Sequence, residues 1–369
     1  KIRRYYCKVL INYQEIKLRA LLKKFLPSGL RNQLHSLIKF LRFNLVKIFK
    51  RNGMLASFYY SFLSKEFQRE HVSTLAGIHA YSKSLDHPSH SSALLRRSIH
   101  RIEKGLIMRP RRNTFAADYI KETVDIFVKA QQAKNFDTDE LKWAMDVLET
   151  YFSAVGDTDT ILLARQKFTN NIVKNNKNKY IPYSYNALDE HKVSYEQLRK
   201  LFLKRRAVRW YKDQIISEDL IKKAVNLASL APSACNRQPF RFYVSSNKQK
   251  AVEIAKCAGG TSGWAEGIPC TIAIIGDLSL YPKEKDRHLI YIDSSLAAMQ
   301  LMLAFETLGL ATCSINWPDI NEAENKLRKI VKLQSFERPI MLMSVGYPDE
   351  QGGIPYSQKK SDRLLIQKV

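Results

Sequence analysis

Apolar positions along the chain change period twice, and the changes outline its organisation. From Leu30 to Arg51 apolar residues recur at helical spacing, interrupted by Lys39, Arg42, Lys47, Lys50 and Arg51. That pattern predicts a basic amphipathic helix. Tyr119–Ala133 and Asp139–Ala154 also read as helices, the second with Thr138 or Asp139 as N-cap. Periodicity then fails in 169–179, which holds five Asn and three Lys and reads as a loop or linker. Beyond 194, helix and strand signals alternate. Ser217–Ser229 is predicted helical with Ser217 as cap, and Asp293–Leu308 as a long apolar helix with Asp293 as N-cap, ending at Gly309. Phe240–Ser245, Thr271–Ile275 and Ile340–Val345 read as strands, and a strand-like run follows Gly309. Alternating elements with short strands predict an α/β or α+β sandwich. The expected divisions are a basic arm (1–53), a helical region (54–168), a linker (169–193) and a mixed domain (194–369). No apolar run reaches the ~18 residues of a spanning helix; the best, Leu296–Phe305, is short and holds Gln300.

Composition sharpens this outline in two places. The 369 residues are 45% hydrophobic, enough for a globular core and inconsistent with a disordered chain. The formal charge is +25, yet residues 1–51 alone hold fourteen basic residues and one acid, Glu15. The charge therefore belongs largely to the arm. An anionic membrane surface suits a basic amphipathic helix, as does packing of that helix on the protein's own core with a solvated basic face. No nucleic-acid recognition module accompanies it, so no specific nucleic acid is expected. A secretory signal fits poorly, because cations run through the apolar positions and no small-residue cleavage site follows. The chain begins at Lys1 and not Met, consistent with a preceding stretch. Five scattered cysteines, without a Cys-x-x-Cys pair, disfavour a disulfide scaffold, a zinc site or an iron–sulfur cluster and fit a reducing, cytoplasmic compartment. His71, His79, His87, His90 and His100 match no common metal spacing, so no metal is expected.

Four segments carry candidate chemistry. Leu203-Lys-Arg-Arg-Ala-Val-Arg-Trp-Tyr211 places four cations in six residues, a density that suits a phosphate because guanidinium donates two parallel charge-assisted bonds. Leu230-Ala-Pro-Ser-Ala-Cys-Asn-Arg-Gln-Pro-Phe-Arg-Phe242 brackets small and amide residues between two prolines, a shaped loop whose amides can read a heterocycle's polar edge. Leu308-Gly-Leu-Ala-Thr-Cys-Ser-Ile-Asn-Trp317 leaves a helix for a strand and can present backbone amides to a planar ligand. Lys359-Lys-Ser-Asp-Arg363 is a late basic cluster.

In order and spacing, over about 175 residues, these segments together resemble the nitroreductase family of FMN-dependent oxidoreductases. The region from Leu94 to Leu106, with Arg109–Arg112 behind it, is similar to the N-terminal extension of a nitroreductase-like group associated with surface-polysaccharide gene sets. The resemblance implies an α+β fold, a three-layer sandwich around a mostly antiparallel sheet, assembled as a homodimer with FMN at the subunit interface. It implies that Arg205, Arg206 and Arg209 hold the phosphate and the ribityl or ring edge of FMN. Pro232, Ser233, Ala234 and Asn236 would approach the flavin from the partner subunit, and Ser314, Ile315 and Asn316 would line its ring. Lys360 and Arg363 would complete the phosphate site, with Lys359 an alternative to Lys360. It further implies NAD(P)H as electron donor, a small-molecule acceptor and no obligatory acid–base residue. The rival reading is a flavin-binding or degenerate module acting as an interaction protein in a membrane-proximal assembly, peripheral to the inner face of the membrane through the arm.

The chain departs from the family pattern at Ala207, where Ser is common, and at Trp317, where several members have Gly. In the 259–267 loop, Thr261, Ser262 and Trp264 stand where many members place Asn, Gln or Lys. Cys235 and Cys313 lie in the proposed flavin loops, where small-residue packing is the simpler role than redox chemistry. His100, Arg101, Glu103 and Lys104 read either as an ion-paired helix face or as a contact to the flavin domain.

Overall fold

The structure is a computed structural model that describes residues 27–172 and 179–369. Expectations for residues 1–26, Cys7 among them, and for 173–178 of the linker lie outside these residues. The described residues form two compact units, divided between Val72 and Ser73.

In the first unit, α1 (Ser28–Phe49) covers the predicted amphipathic stretch. A short helix α2 (Gly53–Phe58) follows, capped by the Asn52 side chain, which accepts from Leu55 N–H at 2.9 Å, and then one π-helical turn, Tyr59–Leu63. Aromatic rings link these pieces: Phe49 lies 5.4 Å from Tyr59, and Phe58 lies 4.9 Å from Phe62. The boundary between the units falls within α3 (Gln68–Ser84).

The second unit opens with a helical layer: α4 (Ala93–Leu106), α5 (Ile120–Gln132), α6 (Thr138–Ala154) and α7 (Asp159–Thr169). Ser92, Asp137 and Thr158 each accept a backbone N–H at a helix start, leaving one fewer orphan donor there. The α6 cap is thus Asp137, one residue before the predicted candidates. Leu95, Ile99, Ile102, Ile120, Phe127 and Leu148 form its dry core. On the α4 surface, His100 pairs with Glu103 at 3.2 Å, and Glu103 also accepts from Trp143 Nε1 of α6 at 2.9 Å. Those charges knit the helical layer itself.

The remainder is an α+β domain. Its elements are α8 (Tyr195–Lys204), α9 (Glu218–Ala228), β1 (Phe240–Ser245), α10 (Lys248–Ala255), β2 (Cys270–Asp277), α11 (Leu289–Thr307), β3 (Ala311–Asn316), α12 (Asn321–Val331), β4 (Glu337–Gly346) and the terminal turn α13 (Asp362–Leu365). The strands pair antiparallel in the order β1-β2-β4-β3. Alternation builds three layers. Cys270, Ile272, Ile274, Met343 and Val345 pack with α9 and α11 on one face. Ala273, Ile275, Leu342, Cys313 and Ile315 pack with α10 and α12 on the other. Pro339, which cannot donate to a ladder, sits where the β2–β4 register shifts.

Two sequence expectations change here. The α11 helix is long and apolar enough to cross a membrane by length and composition, but half of that stretch is buried and it packs on the sheet as a core helix. It also begins four residues before Asp293, so Asp293 is no N-cap. Its buried carboxylate, one turn inside the helix, accepts from Ser233 Oγ at 2.7 Å and Ala234 N–H at 2.9 Å. Helix α11 ends at Gly309, whose φ of +77° is a left-handed stop suited to a residue without Cβ.

Candidate active site

The capping box of Ser194 and Gln197 starts α8, and Arg205 ends it. The chain leaves extended and is pinned along the β3 edge: Val208 N–H donates to Thr312 O at 3.1 Å, and Ala207 bridges Thr312 in parallel. Tyr211 completes the anchor, donating to Val208 O at 2.6 Å and meeting Ser344 Oγ at 2.7 Å. Burial drives the Tyr211 phenol well above its ordinary pKa, so it stays a neutral donor. Its ring packs so closely on Gly346 that a Cβ there would lie 2.6 Å from it. With Val208 buried, the Arg205, Arg206 and Arg209 side chains are left half-exposed around a cavity of about 490 Å³.

Five cations line this cavity: Arg199, Arg205, Arg206, Arg209 and Lys359. No carboxylate is among the described residues lining it. Arg199 is paired with Glu196 at 3.3 Å, but among the described residues neither Arg205 nor Arg209 meets a carboxylate within 4.0 Å. Arg205 Nε is buried without a hydrogen-bond partner. Arg209 stands 5.8 Å from the Trp264 ring. Arg206 has a different setting: its Nη2 donates to Pro355 O at 2.7 Å and to Tyr356 O, tying the C-terminal segment over the cavity. Tyr195, Phe202, Ile354 and Ser314 supply the rest of the wall.

Strand alternation turns Ser314 and Asn316 outward and Ile315 into the core. Because Thr312 O faces the outer edge, the Ser314 and Asn316 amides face it too. Only Ser314 of the predicted trio lines the cavity; Ile315 buries its side chain in the core, and its backbone groups face β4 in the ladder. Of the late basic cluster, Lys359 lines the cavity, whereas Lys360 and Arg363 are exposed and do not.

Pro232, Ser233, Ala234 and Asn236 are placed elsewhere, on a separate loop between α9 and β1. Cys235, Asn236 and Gln238 have φ of 54°, 52° and 51°, left-handed values that cost roughly 1–2 kcal/mol per non-glycine residue. Side chains hold this shape. Asp293 takes Ser233 and Ala234, Ser233 Oγ accepts from Gln238 N–H at 2.7 Å, and Gln238 Nε2 donates to Asn236 Oδ1 at 3.1 Å.

In the 259–267 loop, Thr261 and Trp264 turn inward: Thr261 Oγ1 donates to Ala255 O at 3.3 Å and Trp264 Nε1 to Gly260 O at 3.0 Å. Ser262 is the exposed member. Trp317 packs against the α10–α12 core layer.

Cys313 is buried in that layer, and burial raises its thiol pKa. Burial pushes Cys257 and Cys270 up to about 11 each. Since the thiolate is the reactive form, folded protein treated with iodoacetamide at pH 8 is expected to keep Cys257 and Cys270 unmodified. Peptide mass mapping that finds Cys270 alkylated without denaturant contradicts this placement.

The family model for the nitroreductase family matches residues 202–261 and 246–347, which hold the four-stranded sheet and Arg205, Arg206, Arg209 and Ser314 of the cavity. The C-terminal half of the chain holds a nitroreductase-family domain. A candidate NADH dehydrogenase/NAD(P)H nitroreductase of Methanothermobacter thermautotrophicus is 28% identical over 165 residues, covering 44% of this chain and 83% of its own. An iodotyrosine deiodinase of Haliscomenobacter hydrossis is 28% identical over 190 residues, covering 44% and 84%. Among solved structures, an FMN-dependent nitroreductase of Clostridium difficile is 28% identical, covers 45% of this chain and 96% of its own, and gives a TM-score of 0.39.

Several residues that line this cavity carry no local sequence signal of their place in it. Tyr195 and Phe202 follow from the amphipathic pattern of α8 only once the cavity is known. Arg206 reads like its neighbours, although its guanidinium is committed to carbonyls 149 and 150 residues away.

Proposed function

We propose that the chain is an FMN-dependent oxidoreductase that passes electrons from NAD(P)H to a small-molecule acceptor. The observation that carries this reading is the cation-lined cavity with an orphaned buried Arg205 Nε and no carboxylate among its described lining residues. A buried donor left unpaired costs about 1–3 kcal/mol. A phosphate ester would satisfy it and match the guanidinium fork. The cavity's volume of about 490 Å³ falls within the usual range for cofactor sites. Bound FMN would supply hydride chemistry between donor and acceptor.

The chain's own groups have distinct parts in this reading. Arg205, Arg209 and Lys359 neutralise the phosphate and place positive charge near the negative edge of the reduced ring, which favours reduction. Arg206 keeps the 354–359 segment against the site and limits water entry. The outward amides of Ser314 and Asn316 can donate to the ring edge. Ile292, Leu296 and Met299 leave a partly exposed apolar stripe on α11, which suits a second copy of the chain. The Pro232–Asn236 loop would then reach the partner's flavin. Purified protein incubated with FMN should quench the flavin's fluorescence stoichiometrically. Absence of uptake contradicts the proposal.

A second reading concerns the first unit. Leu30, Leu37, Phe40, Phe43 and Ile48 of α1 are exposed, as are Met54, Phe58 and Phe62 beyond it. Exposed apolar and aromatic residues joined to a cationic arm suit an anionic lipid surface. The full chain should co-sediment with phosphatidylserine vesicles at low salt and dissociate as salt rises. Equal binding by a chain lacking residues 1–51 refutes a membrane role for the arm.

A further inference from the structure

The helical layer has no part in the cavity, yet it makes one directed polar contact with a loop assigned above to the flavin. Arg96 of α4 donates from Nε to Asn236 O at 2.8 Å. The acceptor belongs to one of the loop's left-handed residues. Arg96 is itself held on two sides. Its Nη1 pairs with Glu140 Oε2 of α6 at 3.0 Å, and its guanidinium lies 5.5 Å from the Trp143 ring centre. Glu140 is buried, and it also accepts from Ser91 Oγ at 2.6 Å and Ser92 N–H at 3.0 Å. The guanidinium therefore projects from an ordered anchor, so little side-chain freedom remains to be lost on making the Asn236 contact. From the other side, Asp293 holds Ser233 and Ala234. The loop is clamped between α11 of the sheet domain and α4 of the helical layer.

We propose that Arg96, set by Glu140, is a positioning residue through which the helical layer holds the 233–238 loop in its flavin-binding shape. The proposal rests on the FMN reading for its consequence, but the clamp itself can be read without flavin. A preorganised loop binds more tightly because ordering need not occur on binding. Losing a charged hydrogen bond worth about 1.5–3 kcal/mol would weaken FMN binding by roughly ten- to a hundredfold.

The test is amide hydrogen exchange on the flavin-free full chain, followed by FMN titration and visible circular dichroism of the loaded protein. In Arg96→Ala, peptides spanning 233–238 should exchange faster while β2 peptides remain unchanged. FMN affinity should fall at least about tenfold, and the flavin's dichroic band should change. If Arg96→Ala does not fold, Glu140→Gln, which keeps the anchor's shape and removes its charge, should move the same three readouts in the same direction. Unchanged exchange in the loop overturns the proposal. Faster exchange with unaltered FMN affinity and dichroism also overturns it, because the clamp would then serve stability alone. Wild-type protein that takes up no FMN overturns the cofactor reading itself, a result distinct from a loss confined to the variant.

Discussion

Replacing Arg205 and Arg209 together by Ala is expected to weaken FMN binding by about two orders of magnitude or more. Each guanidinium contributes charge-assisted hydrogen bonds worth about 1.5–3 kcal/mol, and a factor of ten corresponds to about 1.4 kcal/mol. Both face the cavity, neither meets a carboxylate among the described residues, and Arg205 Nε lacks a partner there. Removing them breaks no ion pair among the described residues, so the melting temperature should change little. Lys222→Ala, which removes an exposed charge paired with Glu218 at 3.5 Å, controls for net charge and should leave affinity unchanged. Isothermal titration with FMN reads the two affinities, and a thermal melt reads the stability. Retained affinity in the double variant refutes the phosphate-site assignment.

The second large effect lies in the core. Phe305→Ala should destabilise the sheet domain by about 3–5 kcal/mol, the usual cost of a phenyl-sized hole. Phe305 is fully buried on α11, packed with Leu301, Met343 and Val345, and its carbonyl accepts from Leu310 N–H at 2.9 Å as the chain turns into β3. A cavity there loosens the layer that sets the β3 edge and its outward amides. Phe305→Leu retains most of the volume and should cost about 1.5 kcal/mol or less. Urea unfolding followed by tryptophan fluorescence measures both. A loss below about 1 kcal/mol for Phe305→Ala contradicts the placement of α11 at the centre of the fold.

What the sequence disclosed depended on how local the signal was. The bounds of β1 match the predicted Phe240–Ser245, because turn residues flank an alternating run. Ser217 caps α9 as predicted, since the cap acts three residues away. The β2 strand is longer than expected, at its end because Gly276 and Asp277 are poor strand formers placed by tertiary pairing. Asp293 misled for a physical reason: Asp is a preferred N-cap, but this carboxylate serves a loop 60 residues earlier in the chain. The same holds for Arg96, whose acceptor Asn236 is 140 residues away. Motif spacing located Arg205, Arg209 and Ser314 near one cavity. It left open whether Lys359 or Lys360 faces that cavity, because adjacent residues on an irregular segment have no periodic cue; Lys359 does.

The central claim is that flavin held beside Arg205 and Arg209 accepts electrons from a nicotinamide. Anaerobic titration of the FMN-loaded protein with NADH and with NADPH, monitored by the flavin's visible absorbance, tests it most directly. The account predicts stoichiometric bleaching by at least one of the two, with colour returning on admission of air. A fully loaded, yellow protein that neither nucleotide bleaches contradicts it.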